Sequence, residues 1–478
     1  MTIQLGTEGW RGVIGNDFTL RGARSFARGV ARWLRDRGRS EAGVVVGYDT
    51  RFLSDRAAQE LASVLTRWGI PVFLSGHPIP TPVLSFTVRR RGAAAGLMVT
   101  ASHNPPEYNG IKVKGAHGGP LFGPDLAALE TALASRAPAP RVPAARLEIF
   151  DPDPPYLARL KELVDPGRLT EAHLSVVVDP MHGAARHYLR RLLVPVGVKI
   201  RQIRTYPDPR FGGRGPEPVE ANLGPLKRAV RAARADLGLA TDGDGDRLGV
   251  VDDRGCFVSP QAVYALLLDY LAGQRQLRGG VVKTVSTTRM IDRLADRYGL
   301  QLYQTPVGFK HISRLFVDGQ AVIGGEESGG VGVSPHLPER DGVYAGLVLL
   351  DALASTGQSL SGLLAGLEQA VGPHCYQRHD VHLTAGQARQ AGRTLASLAA
   401  APETLPPAIA GRRITRVETL DGLKLNFDQG GWLLFRSSGT EPVVRIYAEA
   451  PSARDVSDLL RAGEELLASP GAHRAKVT

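Results

Sequence analysis

Hydrophobic and polar positions follow the same order three times along the chain. In the first instance, an apolar run at residues 44–46 is followed by a polar loop, a helix-like stretch, Gly69 and a second apolar run that ends at Leu74. The same order begins again at Leu174 and at Val281. Each instance predicts a strand, a loop, a helix that ends at a glycine, and a second strand. Because such β-α-β units build parallel or mixed sheets covered by helices, the pattern predicts three related α/β domains.

A different pattern begins after Gly372. An Ala- and Leu-rich stretch predicts a helix, and a loop interrupted by prolines follows it. Strands are predicted at residues 379–383, 423–427, 432–435 and 443–448. A small sheet combined with helices indicates a fourth, α+β domain.

Composition also predicts where the domains are joined. Residues 137–145 are rich in Ala, Pro and Arg, and an Asp-Pro repeat follows at residues 151–155. Such segments favour exposed chain between domains. A less marked domain boundary is predicted at residues 253–255. The predicted domains cover residues 1–145, 152–254, 255–371 and 372–478.

Length and composition agree with several globular domains. A chain of 478 residues exceeds one compact core, and 43% hydrophobic with 22% charged residues is ordinary for a globular protein. No apolar run approaches the roughly 18 residues that a membrane helix needs, so no membrane partner is predicted. Because the chain opens directly on a motif at residues 5–12, with no room for a cleaved signal, we expect a cytoplasmic protein. The two cysteines, Cys256 and Cys375, exclude a disulfide framework and disfavour a thiolate metal site.

The net charge of +11 raises the question of nucleic-acid binding. The basic residues are mostly arginines scattered through predicted helices, and no stacking aromatic residues are interleaved with them. We therefore predict no nucleic-acid partner, although weak adhesion at low salt stays open. A positive field also suits a small anionic substrate.

The first segment that offers chemistry runs from Thr100 to Lys112. Ser102 lies where a predicted strand passes into a loop turned by prolines. A hydroxyl held in such a loop, with His103 beside it and the amine of Lys112 further on, is a candidate nucleophile. The glycines of a hydrolase nucleophile elbow are missing, which disfavours acyl transfer. Taken alone, the segment also fits a turn in which Ser102 only caps the backbone.

The second segment contains three aspartates at alternate positions, Asp242, Asp244 and Asp246, followed by Arg247. Carboxylates spaced in this way can surround one hard cation. An EF-hand is excluded because Arg247 stands where that loop needs glycine, and because the flanking residues predict strands. The alternative is an acidic surface turn. A cation next to Arg247 can stabilise the charge on a transferring phosphoryl group.

Two further segments offer groups that bind sugars and phosphates. A glycine-rich loop carries Glu326, Glu327 and Ser328, which can accept hydrogen bonds from sugar hydroxyls or form a simple turn. Residues 436–442, followed by Arg445, form a candidate phosphate cradle or a capped turn. The Gly-Lys-Ser/Thr of a Walker loop is absent. Together the four segments supply a nucleophile, a metal site, a sugar site and a phosphate site, one in each predicted domain.

These four segments, together with the opening residues 6–12, resemble the signatures of the α-D-phosphohexomutase family in order and spacing. The resemblance implies four domains around a central cleft, the first three of them α/β. It implies an enzyme that moves a phosphoryl group between two hydroxyls of a hexose. It also implies that Ser102 is phosphorylated, and that one Mg²⁺ per chain is held by Ser102 with its phosphate, Asp242, Asp244 and Asp246.

The resemblance implies further roles. Arg11 and Arg247 would contact the transferring phosphoryl group, and Lys112 and His103 are the candidates for general acid–base catalysis. The residues that would bind the sugar or its second phosphate are Glu326, Ser328, Lys283, Lys310, Arg436, Ser437, Ser438, Gly439, Thr440 and Arg445.

The sugar loop bears on the choice of substrate. Relatives that accept mannose as well as glucose, and those that act on glucosamine, place histidine where this chain has Gly330. Glu327 is similar to the glucose-specific members. The resemblance therefore implies interconversion of glucose 1-phosphate and glucose 6-phosphate, with glucose 1,6-bisphosphate as intermediate and activator, in a monomer or homodimer. Mannose or glucosamine phosphates are the alternative substrates. Rival functions are a metal-dependent sugar phosphatase and a non-catalytic sugar-phosphate sensor.

Overall fold

The computed structural model describes residues 3–6, 8–135, 138, 140–437 and 442–468. The chain divides into two compact units. Unit 1 contains residues 1–282 and 308–363, and unit 2 contains residues 283–307 and 364–478.

Unit 1 begins with a six-stranded mixed sheet and its helices. The elements are β1 (Gly9–Val13), α1 (Leu20–Asp36), β2 (Val44–Tyr48), α2 (Ser54–Arg67), β3 (Val72–Ser75), α3 (Thr81–Arg91), β4 (Ala95–Val99), β5 (Tyr108–Gly115), α4 (Gly123–Ala134) and β6 (Leu147–Phe150). The strand order is β1-β5-β4-β2-β3-β6. Strand β2 is parallel to β3 and to β4, and β5 runs antiparallel to its neighbours. The predicted β2-α2-β3 unit is confirmed.

Strand β6 lies between the two segments of the predicted linker, residues 137–145 and 151–155. It pairs in parallel with β3, in the register Val72 with Leu147, and therefore belongs to the first sheet. The next helix begins at Asp153, inside the predicted Asp-Pro linker. The sequence did not reveal β6 because its residues alternate between exposed and half-buried, as expected of an edge strand.

A five-stranded sheet follows in unit 1. Its elements are α5 (Asp153–Leu163), α6 (Pro166–Glu171), β7 (Ser175–Asp179), α7 (Tyr188–Leu193), β8 (Lys199–Gln202), α8 (Gly224–Ala233), β9 (Leu237–Thr241), β10 (Leu248–Val251) and β11 (Phe257–Val258). The order is β11-β10-β9-β7-β8, with β7 parallel to β8 and to β9. The loop of the β9–β10 hairpin carries the three aspartates.

The third α/β region continues through α9 (Pro260–Gly273), β12 (Gly280–Thr284), α10 (Met290–Tyr298), β13 (Leu302–Thr305), α11 (Phe309–Val317), β14 (Ala321–Gly325), β15 (Val331–Val333), α12 (Gly342–Thr356) and α13 (Leu360–Val371). Strands β14 and β15 form an antiparallel pair in unit 1. The glycine-rich loop lies between them. Helix α12 is almost entirely buried, which agrees with its apolar sequence.

The C-terminal part of unit 2 is an antiparallel sheet packed against helices. The elements are β16 (Cys375–His382), α14 (Ala385–Ala400), β17 (Ala408–Ile409), β18 (Arg412–Glu418), β19 (Leu423–Phe427), β20 (Trp432–Ser437), β21 (Val443–Ala450) and α15 (Ala453–Ala468). The order is β16-β21-β20-β19-β18-β17. The predicted α+β class is confirmed, but β17 and β18 replace the predicted loop. Strand β18 is rich in charged residues and has only one buried residue, so it lacks the apolar alternation by which strands are recognised.

Among the described residues, no single helix is long and apolar enough to cross a membrane. Helices α12 and α13 reach that length and hydropathy only as a pair, with a bend of 87° between them.

Candidate active site

Ser102 lies in the loop after β4 with its side chain directed at the β9–β10 hairpin. Its φ of 55° is left-handed, a conformation that is strained for a residue with a side chain. Its backbone N–H donates to Thr100 Oγ1 at 2.8 Å, and its hydroxyl donates to Asp242 Oδ2 at 2.7 Å. The structure thus brings the candidate nucleophile into contact with the aspartate loop.

Arg51, in the loop after β2, holds the backbone around Ser102. Its Nε lies 3.3 Å from Asp49 Oδ2, and both side chains are buried. Asp49 in turn accepts a hydrogen bond of 2.6 Å from Thr100 Oγ1. The guanidinium of Arg51 donates to four carbonyl oxygens of one loop, those of Ser102 (2.7 Å), Asn104 (2.6 Å), Pro105 (2.8 Å) and Tyr108 (3.0 Å). The sequence interpretation missed this residue; its only signal was a pair of opposite charges directly after an apolar strand.

The three aspartates of the β9–β10 hairpin converge in a buried cluster. Asp242, Asp244 and Asp246 are fully buried, and one carboxylate oxygen from each lies within 4.8 Å of the others. Asp242 Oδ1 accepts hydrogen bonds from the backbone N–H groups of Asp246 (3.0 Å) and Arg247 (3.2 Å). The turn that permits this needs Gly245, whose φ is 70°.

Lys112, from β5, supplies positive charge to this cluster. Its Nζ donates to Asp244 Oδ2 and to Asp246 Oδ2, both at 2.7 Å, and lies 3.6 Å from Glu8. Burial raises the pKa of Asp244, but the charge and hydrogen bond of Lys112, together with hydrogen bonds that involve Thr81 and Asp242, lower it overall. The pKa of Asp242 is raised, first by burial and then by the charges of Asp244 and Asp246.

The aspartate cluster fits a hard divalent cation. Its donors are carboxylate oxygens, the ligands that Mg²⁺ prefers. Asp244 Oδ1 and Asp246 Oδ1 are buried and have no hydrogen-bond partner among the described residues. Buried oxygens of this kind normally have a partner, and a metal ion would supply one. The acidic triad can therefore hold a metal ion.

Arg11, His103 and Arg247 surround the same loop. Arg11 Nη1 donates to Asn104 Oδ1 at 2.7 Å, and Arg247 Nη1 lies 3.4 Å from Glu217. His103 Nδ1 is 3.5 Å from Ser102 Oγ. Desolvation, followed by the positive charges of Arg247 and Arg11, lowers the pKa of His103 well below its usual value. The imidazole is consequently neutral at neutral pH.

Glu326 lies in the β14–β15 loop and is almost fully buried. Its two carboxylate oxygens accept from the backbone N–H of Gly308 (3.1 Å) and from Arg340 Nη1 (3.2 Å). Desolvation raises the pKa of Glu326 to about 7, although Arg340 opposes that shift. Ser328, in the same loop, is half-buried.

Arg340 is the central residue that the sequence interpretation missed. Its Nη2 donates to Glu8 at 2.5 Å and to Asp246 Oδ2 at 2.8 Å, while Nη1 reaches Glu326. One buried guanidinium thus joins the aspartate cluster to the glycine-rich loop. A run of three charged residues, 339–341, directly before the apolar helix α12 was the available signal.

Gly330 has no room for a side chain. A Cβ built at Gly330 overlaps Cδ of Arg340 and lies 3.0 Å from its Cγ. Contacts of this length are closer than real Cβ atoms tolerate. Arg340 therefore occupies the space that a histidine at position 330 would need.

Of the two lysines assigned to substrate, Lys310 belongs to unit 1 and Lys283 to unit 2. Within the described chain, Lys310 on α11 makes no hydrogen bond or ion pair with the aspartate cluster. Lys283, in unit 2, is buried and donates to Asp292 and to the carbonyl oxygen of Thr288 at 3.3 Å.

The candidate phosphate cradle belongs to unit 2. Arg436 and Arg445 stand opposite each other on the neighbouring strands β20 and β21. Arg436 Nε donates to Asp421 at 2.8 Å, and Arg445 Nε lies 3.8 Å from Asp380. Ser437 is exposed at the end of β20. Ser438, Gly439 and Thr440 lie outside the described residues.

Family models match the chain along most of its length. The phosphoglucomutase/phosphomannomutase models for the α/β/α domains I, II and III match residues 2–139, 154–255 and 259–370, and the model for the C-terminal domain matches residues 393–463. The chain belongs to the α-D-phosphohexomutase family. Members of this family are isomerases that transfer a phosphoryl group within a hexose phosphate, so this phosphohexomutase is an enzyme of carbohydrate metabolism.

Individual relatives agree on the family and differ in the sugar. A phosphoglucomutase/phosphomannomutase of Thermococcus kodakarensis is 33% identical, over 97% of this chain and 98% of the relative. A phosphoglucosamine mutase of Novosphingobium aromaticivorans is 33% identical over 88% of each chain. The crystal structure of a putative phosphomannomutase from Thermus thermophilus matches with a TM-score of 0.86 and 38% identity, covering 98% of this chain and 99% of that one. The three α/β/α domains and the C-terminal domain expected from the sequence are thereby confirmed.

Proposed function

We propose that this phosphohexomutase interconverts glucose 1-phosphate and glucose 6-phosphate through a phosphorylated Ser102. The observation that carries the proposal is the hydrogen bond of 2.7 Å between Ser102 Oγ and Asp242 in a buried carboxylate cluster. A group-transfer nucleophile beside a set of hard-metal ligands is the arrangement that phosphoryl transfer requires.

In the first half-reaction, O6 of glucose 1-phosphate attacks the phosphorus of phospho-Ser102. The P–O6 bond forms, the P–Oγ bond breaks, and the proton of O6 passes to a base of the protein. The product is bound glucose 1,6-bisphosphate. After the intermediate has turned, Ser102 Oγ attacks the phosphorus on O1, the P–O1 bond breaks, O1 takes up a proton, and glucose 6-phosphate leaves.

The side chains around Ser102 have complementary tasks in this scheme. Asp242, Asp244, Asp246 and the phosphate of Ser102 would hold Mg²⁺, which would stabilise the negative charge on the transferring oxygens. Arg11 and Arg247 add positive charge on the same side. His103 and Lys112 are the two candidates for moving the protons; His103 Nδ1 lies 3.5 Å from Ser102 Oγ, and Lys112 reaches the carboxylates beside it.

The substrate phosphate that does not react is assigned to unit 2. Arg436 and Arg445 are fixed opposite each other on β20 and β21, at the start of the phosphate-cradle segment. Paired guanidinium groups of this kind suit a phosphate dianion. Ser437 to Thr440 complete the proposed cradle, and Lys283 and Lys310 are weaker candidates for further contacts.

Support for glucose comes from the β14–β15 loop. Glu326 and Ser328 are assigned to the sugar hydroxyls. The histidine of relatives that handle mannose or glucosamine is replaced by Gly330, and Arg340 fills the corresponding space. Glu327 adds the resemblance to glucose-specific members.

A coupled assay tests the proposal. Glucose, mannose and glucosamine 1-phosphates are compared with Mg²⁺ and a trace of glucose 1,6-bisphosphate, and kcat/KM is expected to be highest for glucose 1-phosphate. A higher kcat/KM for mannose or glucosamine phosphate would correct the substrate. Stoichiometric release of free phosphate would instead identify a phosphatase and overturn the mutase mechanism.

A further inference from the structure

A cavity opens in unit 1 beside the N-terminus of α8. Its volume is about 440 Å³, which lies in the range occupied by bound small molecules. Four of its lining residues carry basic side chains, His182, Arg204, Arg214 and Arg228, and no Asp or Glu is among the lining residues. The three aspartates and Ser102 do not line it.

Two of the basic side chains contribute uncompensated charge. Arg204 is neutralised by Asp179, which it contacts with Nε at 2.8 Å and through a second nitrogen. Arg214 and Arg228 are exposed, and among the described residues neither has a hydrogen-bond or ion-pair partner. Guanidinium groups that converge on one cavity match the oxygens of a phosphate group.

The first turn of α8 adds a third source of positive potential. Gly224 and Pro225, the first two residues of this ten-residue helix, line the cavity. No side chain caps the helix, and its first turn contains no acidic residue. The N-terminal end of a helix carries a partial positive charge and backbone N–H groups that bind anions.

The same cavity has apolar walls. Pro225 and the small exposed part of Phe211 line the cavity beside the basic groups, while the guanidinium of Arg51 lies 4.8 Å from the centroid of the Phe211 ring. His182 is held in place because its Nδ1 contacts the carbonyl oxygen of Tyr206 at 3.0 Å. A phosphate ion alone would leave these apolar surfaces uncovered.

We propose that this cavity binds a small molecule that carries a phosphate group on an organic body, at a site separate from the catalytic carboxylates. Arg214, Arg228 and the N-terminus of α8 bind the phosphate. Phe211 and Pro225 contact the body of the ligand. A concave site with a helix N-terminus at its wall favours a small ligand over a nucleic acid, which would need an extended basic surface.

The test is a titration of the full chain with glucose 6-phosphate, in which calorimetry measures the heat of binding. Wild type is expected to bind at two sites per chain, whereas the double variant R214A/R228A retains one, with the affinity of the other weakened at least about tenfold. The control Arg90→Ala removes another exposed arginine without a partner among the described residues and should keep both sites. Thermal unfolding verifies that all variants are folded.

Parallel titrations separate the possible ligands. Unphosphorylated glucose should not bind the cavity, and inorganic phosphate should bind more weakly than the phosphosugar. An unchanged isotherm for R214A/R228A or equal binding of glucose overturns the proposal, and so does a single site in the wild type that R214A/R228A retains. Equal affinity for inorganic phosphate overturns the role of the organic body, and competition by a single-stranded oligonucleotide assigns the surface to nucleic acid. R214A/R228A should retain mutase turnover, so failure here is distinct from failure of the proposed function.

Discussion

Arg340 fills the space in which a side chain at Gly330 would lie. A Cβ at Gly330 would overlap Arg340 Cδ, and the guanidinium beyond it is fixed by Glu8, Asp246 and Glu326. The φ of Gly330 is not in the left-handed region, so packing rather than backbone conformation requires the glycine. The absence of a side chain at position 330 and the position of Arg340 are thus parts of one packing arrangement.

Gly330→Ala should destabilise the protein by about 1–3 kcal/mol and lower kcat/KM, because the added methyl group displaces a buried guanidinium that holds three carboxylates. Chemical denaturation and the coupled assay measure the two effects. The same substitution at Gly366, where nothing lies within 4 Å, is the control and should be neutral or slightly stabilising. Wild-type stability of Gly330→Ala would contradict this packing argument.

Ser102→Ala should abolish mutase turnover and the incorporation of labelled phosphate from glucose 1,6-bisphosphate, since no other hydroxyl takes over the transfer in the proposed mechanism. Ser85→Ala removes a similarly buried hydroxyl on α3 and should leave turnover unchanged. Normal activity of Ser102→Ala would refute the phosphoserine mechanism.

The pKa of Glu326, raised by burial to about 7, predicts a pH-dependent KM. In the proposed function the ionised carboxylate accepts hydrogen bonds from sugar hydroxyls, and it becomes protonated as the pH falls through 7. KM should therefore rise between pH 8 and pH 6, and Glu326→Gln should remove this component of the profile. Glu107→Gln, at an exposed position, should preserve it. An unchanged profile in Glu326→Gln would assign the titration to another group.

The buried amine of Lys424 should make the stability of unit 2 depend on pH. Its Nζ donates to the carbonyl oxygen of Val285 at 2.6 Å and lies 4.2 Å from the ring centroid of Trp432. Burial, followed by repulsion from Lys283, lowers the pKa of Lys424 to about 7. Between pH 7 and the pKa of 10.5 in the unfolded chain, the unfolded chain binds more protons than the folded chain. The free energy of unfolding therefore rises with pH in this range.

Denaturation between pH 7 and pH 10 measures this slope. Lys424→Met should flatten it, because methionine has no proton to lose. Lys199→Met, at an exposed lysine on β8, should leave the slope as in the wild type. A slope that persists in Lys424→Met would show that other groups cause it.

Arg51→Lys should lower kcat about tenfold or more with a smaller change in stability. A single ammonium cannot donate to the four carbonyl oxygens that the guanidinium holds, and small displacements of a reacting group are costly. Hydrogen exchange at residues 102–108 should increase in parallel. Arg56→Lys, on the exposed side of α2, is the matched control. Unaltered exchange in Arg51→Lys would contradict the role of Arg51.

Local patterns were sufficient wherever burial or chemistry is encoded by neighbouring residues. The apolar runs of β2 and β7 are buried and therefore have the continuous hydrophobicity of central strands. The aspartate loop was recognisable because carboxylates at alternate positions are typical of a site for a hard cation. The prolines after Ser102 predicted that its loop is turned and not helical. Among the strands that escaped prediction, β6 has no buried residue and β18 has only one, so neither carries the continuous hydrophobicity of a central strand.

The sequence by itself determined the α/β and α+β classes, the family and the set of reactive side chains. The tertiary structure alone decided their partners. Arg340 and Glu8 are 332 positions apart, and Ser102 and Asp242 are 140 apart, yet both pairs are in contact. No periodicity links residues at such separations, because the contact depends on how whole sheets and loops pack. The sequence showed only that position 330 has glycine and not histidine. The packing of Arg340 against Gly330 became visible only in the tertiary structure.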